Sequence, residues 1–193
     1  MILSFCGCSA EEVFTPERGT VENGIYRNDV FGVSFSVNED EWYFYSDAEI
    51  SEAMGLAAEE LTEEGKQIIE EADIIYDMYC ASLLTGGSVN INYENLGIIY
   101  SEAINAEEYL ELAISQFEYQ LSGVNISLDK CETGVATVDG NLRPCLNIVA
   151  NFGGTIIYEC IVPKKVGDWM AVVTIASLSE SEISQILSNL SFE

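Results

Sequence analysis

The sequence predicts an α+β fold in which helices flank an antiparallel β-sheet of about six to eight strands. Short segments that alternate apolar and polar residues lie near the front of the chain and again in its second half. Segments with apolar residues at helical spacing lie between and after them, and glycine-containing turn signals separate the strands. At 193 residues, the chain is long enough for one domain with a core that needs neither disulfides nor metals.

The first predicted strands form a hairpin. Residues 25–27 and 31–37 flank the turn signal Asn28-Asp29, and Val33 and Phe35 alternate with small residues. A short aromatic strand is predicted next, over residues 41–45.

Three helices are predicted from paired capping residues at their starts. These pairs are Ser46 with Glu49, Asn105 with Glu108, and Ser179 with Glu182. The first helical stretch extends to about residue 72, and glycines within it leave open whether it is one helix or two. The last helix is predicted to bury Ile183, Ile186, Leu187 and Leu190.

The remaining strands follow from turn signals. A second hairpin is predicted about Gly86-Gly87, and a meander of four strands over residues 126–138, 142–152, 155–163 and 169–177. Asp139-Gly140 and Gly153-Gly154 supply two of its turns. Six residues on the apolar sides of these elements are predicted to be buried: Phe35, Ile91, Phe117, Ile148, Val172 and Ile186.

Charge and composition exclude several function classes. The chain has 33 acidic and 7 basic residues and a formal net charge of −26. Such a surface repels phosphate backbones and anionic headgroups, so no nucleic-acid partner is expected. The chain has no histidine, which excludes Ser-His-Asp and Cys-His nucleophile systems and imidazole metal sites.

The first residues are predicted to be an export signal. A short apolar run precedes Gly7-Cys8-Ser9, and an acidic stretch follows. This pattern resembles a bacterial lipobox, which implies that Cys8 carries a lipid anchor. We therefore predict a signal-peptide remnant over residues 1–8, an acidic linker over 9–23 and a single domain over 24–193, with the signal peptide starting upstream of Met1. The alternative is an ordinary N-terminus with two chance cysteines.

The order of elements resembles that of the PsbP-like family. The resemblance rests on Tyr26, on Phe31-Gly32-Val33-Ser34-Phe35 and on Trp42. It implies an α/β/α sandwich around an antiparallel sheet and a mostly non-catalytic role. PsbP proteins dock on a photosystem, a relative in nuclear import binds a small GTPase, and many bacterial members are lipoproteins of unknown role.

Other candidate chemistry is interpreted as structural. The acid-rich segment 38–72 could bind Ca²⁺, but it has no calcium-loop motif, and its glutamates are expected on a solvated helix face.

Strict pairing about Gly153-Gly154 sets Asn147 opposite Cys160 and leaves Cys145 as a diagonal neighbour, about 7–8 Å away. We therefore expect Cys80, Cys131, Cys145 and Cys160 to be buried thiols. A Cys145–Cys160 disulfide or a zinc site built from all four is the alternative. The aromatic residues are expected in the core or on the sheet surface, with a ligand groove as the alternative.

The sequence therefore predicts a non-catalytic bacterial surface lipoprotein. Its acidic domain would bind a protein or cell-envelope component, with Cys8 as the lipidation site on the extracytoplasmic face of the cell membrane. No catalytic residue, cofactor or metal ligand is predicted, and the only membrane contact would be the anchor. The alternatives are an exported carboxylate-dependent hydrolase and a cytoplasmic binding module.

Overall fold

A computed structural model describes residues 16–59, 73–97, 103–121 and 126–193. Within them it has strands β1 (Thr20–Glu22), β2 (Ile25–Asn28), β3 (Val33–Ser36), β4 (Trp42–Phe44), β5 (Ile74–Ser82), β6 (Ser88–Asn95), β7 (Ile126–Val138), β8 (Asn141–Phe152), β9 (Thr155–Val166), β10 (Trp169–Ser177) and β11 (Leu190–Phe192). Its helices are α1 (Asp47–Glu59), α2 (Ala106–Leu121) and α3 (Glu180–Leu187).

The strands form two antiparallel sheets. The larger sheet has seven strands in the order β4-β5-β6-β10-β9-β8-β7, and the smaller has four in the order β1-β2-β3-β11. The predicted α+β class is confirmed. The small sheet is a finding beyond the prediction, because β1 lies in the segment predicted as linker, and β11 lies where the last helix was predicted to continue.

The core has two parts, one on each face of the large sheet. On the inner face, Phe35 of the small sheet and Ile186 of α3 pack over residues of the large sheet such as Ile91 and Val173. On the outer face, Leu110 of α2 packs on Leu146 and Met170. Five of the six predicted core residues are buried, and Phe117 is partly buried on the outer face.

Two of the three predicted capping pairs form. The backbone N–H of Ser46 donates to Glu49 Oε2 at 2.8 Å, and that of Asn105 donates to Glu108 Oε2 at 2.8 Å. The prediction for Ser179 with Glu182 is wrong, because Ser179 makes no side-chain cap hydrogen bond. Glu182 instead accepts hydrogen bonds from the hydroxyls of Ser177 and Thr85.

A buried carboxylate joins the two sheets. The β5–β6 register shifts between Tyr76 and Met78, so Asp77 is the extra residue of a β-bulge. Its side chain is fully buried and accepts hydrogen bonds from the hydroxyl of Tyr26 at 2.5 Å and the backbone N–H of Gly19 at 2.9 Å. Arg18 also pairs with it, so residues before β1 are attached to the large sheet.

Some predictions fall outside the described residues. These are the predicted signal-peptide remnant over residues 1–8 with the lipidation site Cys8, residues 9–15 of the predicted linker, and residues 60–72 of the first helical stretch. In the described part of the chain, every helix is too short or too polar to cross a membrane.

Candidate binding sites on the β7–β8 hairpin

The β7–β8 hairpin forms one end of the large sheet and diverges from its neighbour. β8 pairs with β9 only from Leu146 onward, where Leu146 lies opposite Ile161. The same register would set Pro144 opposite Pro163. Since proline has no backbone N–H to donate, two facing prolines end the ladder of hydrogen bonds. The far end of the hairpin therefore extends away from β9 and leaves open space on both of its faces.

The first candidate site lies on the outer face, between this part of the hairpin and the start of α2. We call it the outer groove. Its cavity volume is about 510 Å³. The apolar residues that line it are Leu110, Val135, Leu142 and Pro144. Its charged lining residues are Glu107 and Glu111 of α2, which we call its acidic rim, and Arg143 of β8, whose guanidinium lies over the Phe192 ring on the inner face.

Two apolar side chains of the outer groove are largely exposed to solvent. Val135 is 64% exposed and Leu142 is 75% exposed. They are close on the same face, because Val135 pairs with Pro144, and Leu142 pairs with Thr137. An apolar surface rimmed by polar residues is typical of a protein-binding site.

The second candidate site lies on the inner face, between the hairpin and α3. We call it the thiol cleft, and its volume is about 440 Å³. Cys145 and Cys160 lie at its base, and Lys130, Asn147 and Glu180 are among its other lining residues. The observed register sets Asn147 opposite Cys160, as predicted.

The two thiols in this cleft contact each other. Cys145 and Cys160 are free, and their side chains are hydrogen-bonded. Cys145 also receives hydrogen bonds from Asn147 Nδ2, at 3.6 Å, and from the backbone of Gly134. The hydrogen bond from Cys160 is the main cause that lowers the pKa of Cys145, and the charge of Lys130 adds to it. The pKa of Cys160 is raised, because its thiol hydrogen-bonds to Cys145 and is buried.

The other two cysteines lie elsewhere. Cys80 is a buried free thiol in the inner core, where burial raises its pKa to about 12. Cys131 is half-buried on the outer face, on the opposite side of the sheet from Cys145 and Cys160. The four cysteines therefore do not surround one point, so they cannot together bind a single zinc ion as the alternative above requires.

Two partly buried acids lie too far apart to form a hydrolase pair. Burial raises the pKa of Glu94, which accepts a hydrogen bond from the Tyr109 hydroxyl at 2.7 Å, and burial also raises that of Glu159. Their partners on β10 are Met170 and Ala176. Six residues along a strand correspond to about 20 Å, beyond the ~5–9.5 Å that glycoside hydrolysis requires. The described residues contain no group of three or more acids or cysteines placed to hold a metal ion.

The aromatic residues divide between the two predicted environments. Tyr26, Tyr93 and Trp169 are buried in the inner core. Tyr45 makes edge contacts with both Tyr43 and Tyr79 on the outer side of the β4–β5 pair. This second group is a surface cluster of the sheet and lines neither candidate site.

Sequence reasoning missed both candidate sites. The facing pair Pro144 and Pro163 was a usable signal, because proline marks the end of pairing in a central strand. The strand register also placed Cys145 and Cys160 on one face. The approach of α2 to the hairpin had no sequence signal, because it is a contact between distant elements.

No protein-family model and no curated protein sequence matches the chain. The structure is similar to the solution structure of cyanobacterial PsbP (CyanoP) from Synechocystis sp. PCC 6803, with a TM-score of 0.52. The match covers 93% of this chain and 98% of that chain at 10% sequence identity. The fold is therefore PsbP-like, as the sequence predicted. At this identity the similarity shows the fold alone.

Proposed function

We propose that the chain is a non-catalytic bacterial surface lipoprotein whose PsbP-like domain binds a protein or envelope component through the outer groove. The exposed apolar surface of this groove, rimmed by acids, carries the proposal. The partner would offer a segment with apolar side chains for the groove and basic side chains for its rim.

The apolar part of the groove supplies the attraction. Val135 and Leu142 are mostly exposed in the described structure. Burying one such side chain against a partner contributes about 1.5–3 kcal/mol. The cavity beside them, at about 510 Å³, is large enough for an apolar side chain of the partner.

The acidic rim selects the kind of partner. Glu107 and Glu111 line the groove, and the whole chain carries a net charge of −26. A negative surface speeds the approach of a basic partner and repels an acidic one. Binding is therefore expected to weaken as salt is added, since the Debye length falls to about 3 Å at 1 M.

Site-specific photocrosslinking in cells of the source organism tests the groove. A crosslinking residue at Leu142 should capture a partner, whereas one at Leu84 should not. Leu84 is a matched control, because it is 71% exposed against 75% for Leu142 and lies at the β5–β6 turn. Reversing the charge of the rim with Glu107→Lys and Glu111→Lys should abolish the crosslinked product formed at Leu142. Equal adducts at both positions, or an adduct unaffected by the reversal, would contradict the proposal.

The lipid anchor is tested separately. Expressed from its own gene, the wild-type protein should partition into detergent and incorporate labelled fatty acid. Cys8→Ala should abolish both properties, and the matched variant Cys6→Ala should retain them. Labelled lipid on the Cys8→Ala protein would show that the anchor is wrong while leaving the groove untested. The same experiment distinguishes a lipoprotein from a cytoplasmic binding module, which would carry no lipid in any variant.

A further inference from the structure

We propose that Cys145 and Cys160 form a peroxide-reactive thiol pair, in which Cys145 attacks a small hydroperoxide in the thiol cleft and Cys160 completes a disulfide. The proposal does not depend on the lipid anchor or on the outer groove. It rests on the contact between the two thiols, on the donors around Cys145 and on the cleft above them.

The observed register leaves the two cysteines as diagonal neighbours, about 7–8 Å apart at the backbone, and their side chains span this distance. Cys145 and Cys160 lie on the inner face of neighbouring strands, and their side chains are hydrogen-bonded. β8 and β9 begin to diverge beside Cys145, because pairing ends at Leu146 and Ile161. The thiols thus meet at the edge of the paired region, where the side chains adjoin open space.

The groups around Cys145 favour its thiolate. Asn147 Nδ2 lies 3.6 Å from its sulfur, and Gly134 contributes a backbone hydrogen bond. A Cβ atom built on Gly134 would lie 2.4 Å from Asn147 Nδ2, so a larger residue at position 134 would displace the amide from this place. Lys130 lines the same cleft and adds a positive charge, the smallest of these contributions, because its ammonium also pairs with Glu132 at 2.9 Å and the acidic Glu180 lines the cleft as well. Amide donors and a cation are the features that make a cysteine nucleophilic.

The size of the opening selects the oxidant. Cys145 is 1% exposed at the base of a cleft of about 440 Å³. A protein disulfide cannot approach a sulfur at that depth, whereas hydrogen peroxide or a small organic hydroperoxide can enter the cleft. Cys80, by contrast, lies in the core with its pKa raised by burial, so we expect it to be inert.

The reaction balances with the hydroperoxide as the only oxidant. The Cys145 thiolate attacks the terminal oxygen, the O–O bond breaks, and the alcohol leaves after taking a proton, which gives a sulfenic acid on Cys145. The Cys160 sulfur then attacks the Cys145 sulfur, the S–O bond breaks, and water leaves with the Cys160 proton. Two thiols lose two electrons in total, and one hydroperoxide becomes one alcohol and one water.

The test uses the full chain with Cys6→Ser and Cys8→Ser, so that the N-terminal thiols do not react. Hydrogen peroxide should remove two hydrogens from the protein mass, and peptide mapping should locate a Cys145–Cys160 disulfide. Cys145→Ser should slow oxidation at least about tenfold, and Cys131→Ser should not. In Cys160→Ser, dimedone should label Cys145. Oxidation of Cys145→Ser at the wild-type rate, or dimedone on Cys131 instead, would overturn the proposal.

A surface variant keeps the test valid if Cys145→Ser fails to fold. Lys130→Gln removes the nearby positive charge from a side chain that is 41% exposed, so the fold should persist. It should slow peroxide oxidation about two- to fivefold and shift alkylation of Cys145 to higher pH. Arg27→Gln, which removes the same charge from a residue that does not line the cleft, is the control. Equal rates for Lys130→Gln and Arg27→Gln would refute the role of the cleft.

Discussion

Replacing Asp77 with alanine is expected to destabilise the protein more than any loss of a surface charge. Its carboxylate joins β2 to β5 by accepting from Tyr26, from Asn28 Nδ2 at 3.2 Å and from the backbone of Gly19. In Asp77→Ala these donors remain buried without their acceptor. Breaking a buried charge network of this kind costs about 3–5 kcal/mol.

The expected effect is measurable by urea unfolding and by melting. For a domain of this size each kcal/mol corresponds to about 2–4 °C, so the melting temperature should fall by roughly 6–20 °C. Asp77→Asn, which keeps one acceptor oxygen, should cost about 1–3 kcal/mol.

Asp47→Ala is the matched control. Arg18 pairs with Asp47 at 2.8 Å as well as with Asp77, but the Asp47 side chain is 77% exposed. Loss of such an exposed pair costs about 0–1 kcal/mol. If Asp77→Ala costs no more than Asp47→Ala, the carboxylate does not hold the sheets together, and the reasoning from burial fails.

Three further predictions concern single contacts. Burial raises the folded pKa of Glu159 above its ordinary value of 4.5. The contribution of this carboxyl to the free energy of unfolding is therefore fully present below pH 4.5, where it is protonated, and is lost as pH rises through the folded pKa. Glu159→Gln should therefore be more stable than wild type in urea at pH 7, but not at pH 4. Lys164→Met removes donors from three backbone carbonyls and should cost about 1–3 kcal/mol; an unchanged urea midpoint would be evidence against this. Asn105→Ala should cost about 1 kcal/mol and Ser179→Ala almost nothing, because only Asn105 caps its helix through its side chain. Equal losses of melting temperature would contradict that difference.

Predictions that depended on local pattern agree with the structure. The β5–β6 hairpin places Ile91 in the core, as predicted, and the alternating residues Val89 and Tyr93 lie in the core with it. The turns at Asp139-Gly140 and Gly153-Gly154 form with positive φ at all four residues. Such features depend on a few neighbouring residues, so the chain order itself specifies them.

The third capping pair shows where local reasoning fails. Ser179 and Glu182 have the spacing of a capping box, but Thr85 and Ser177 compete for the same carboxylate and bind it. Thr85 is distant in the sequence and adjacent in the fold. A short pattern therefore predicts that a side chain can form a bond, and tertiary packing determines which partner it takes.

The sequence by itself determined the α+β class, the apolar faces, the register about the Gly153-Gly154 turn and the excess of acidic residues, because periodicity, turn residues and charge are local properties. Only the tertiary structure decided that β11 returns to pair with β3, that a bulge directs Asp77 between the sheets, and that Cys145 and Cys160 meet beneath α3. These features join residues far apart in the chain. Their geometry follows from how the sheets and helices pack, which no single stretch of sequence specifies.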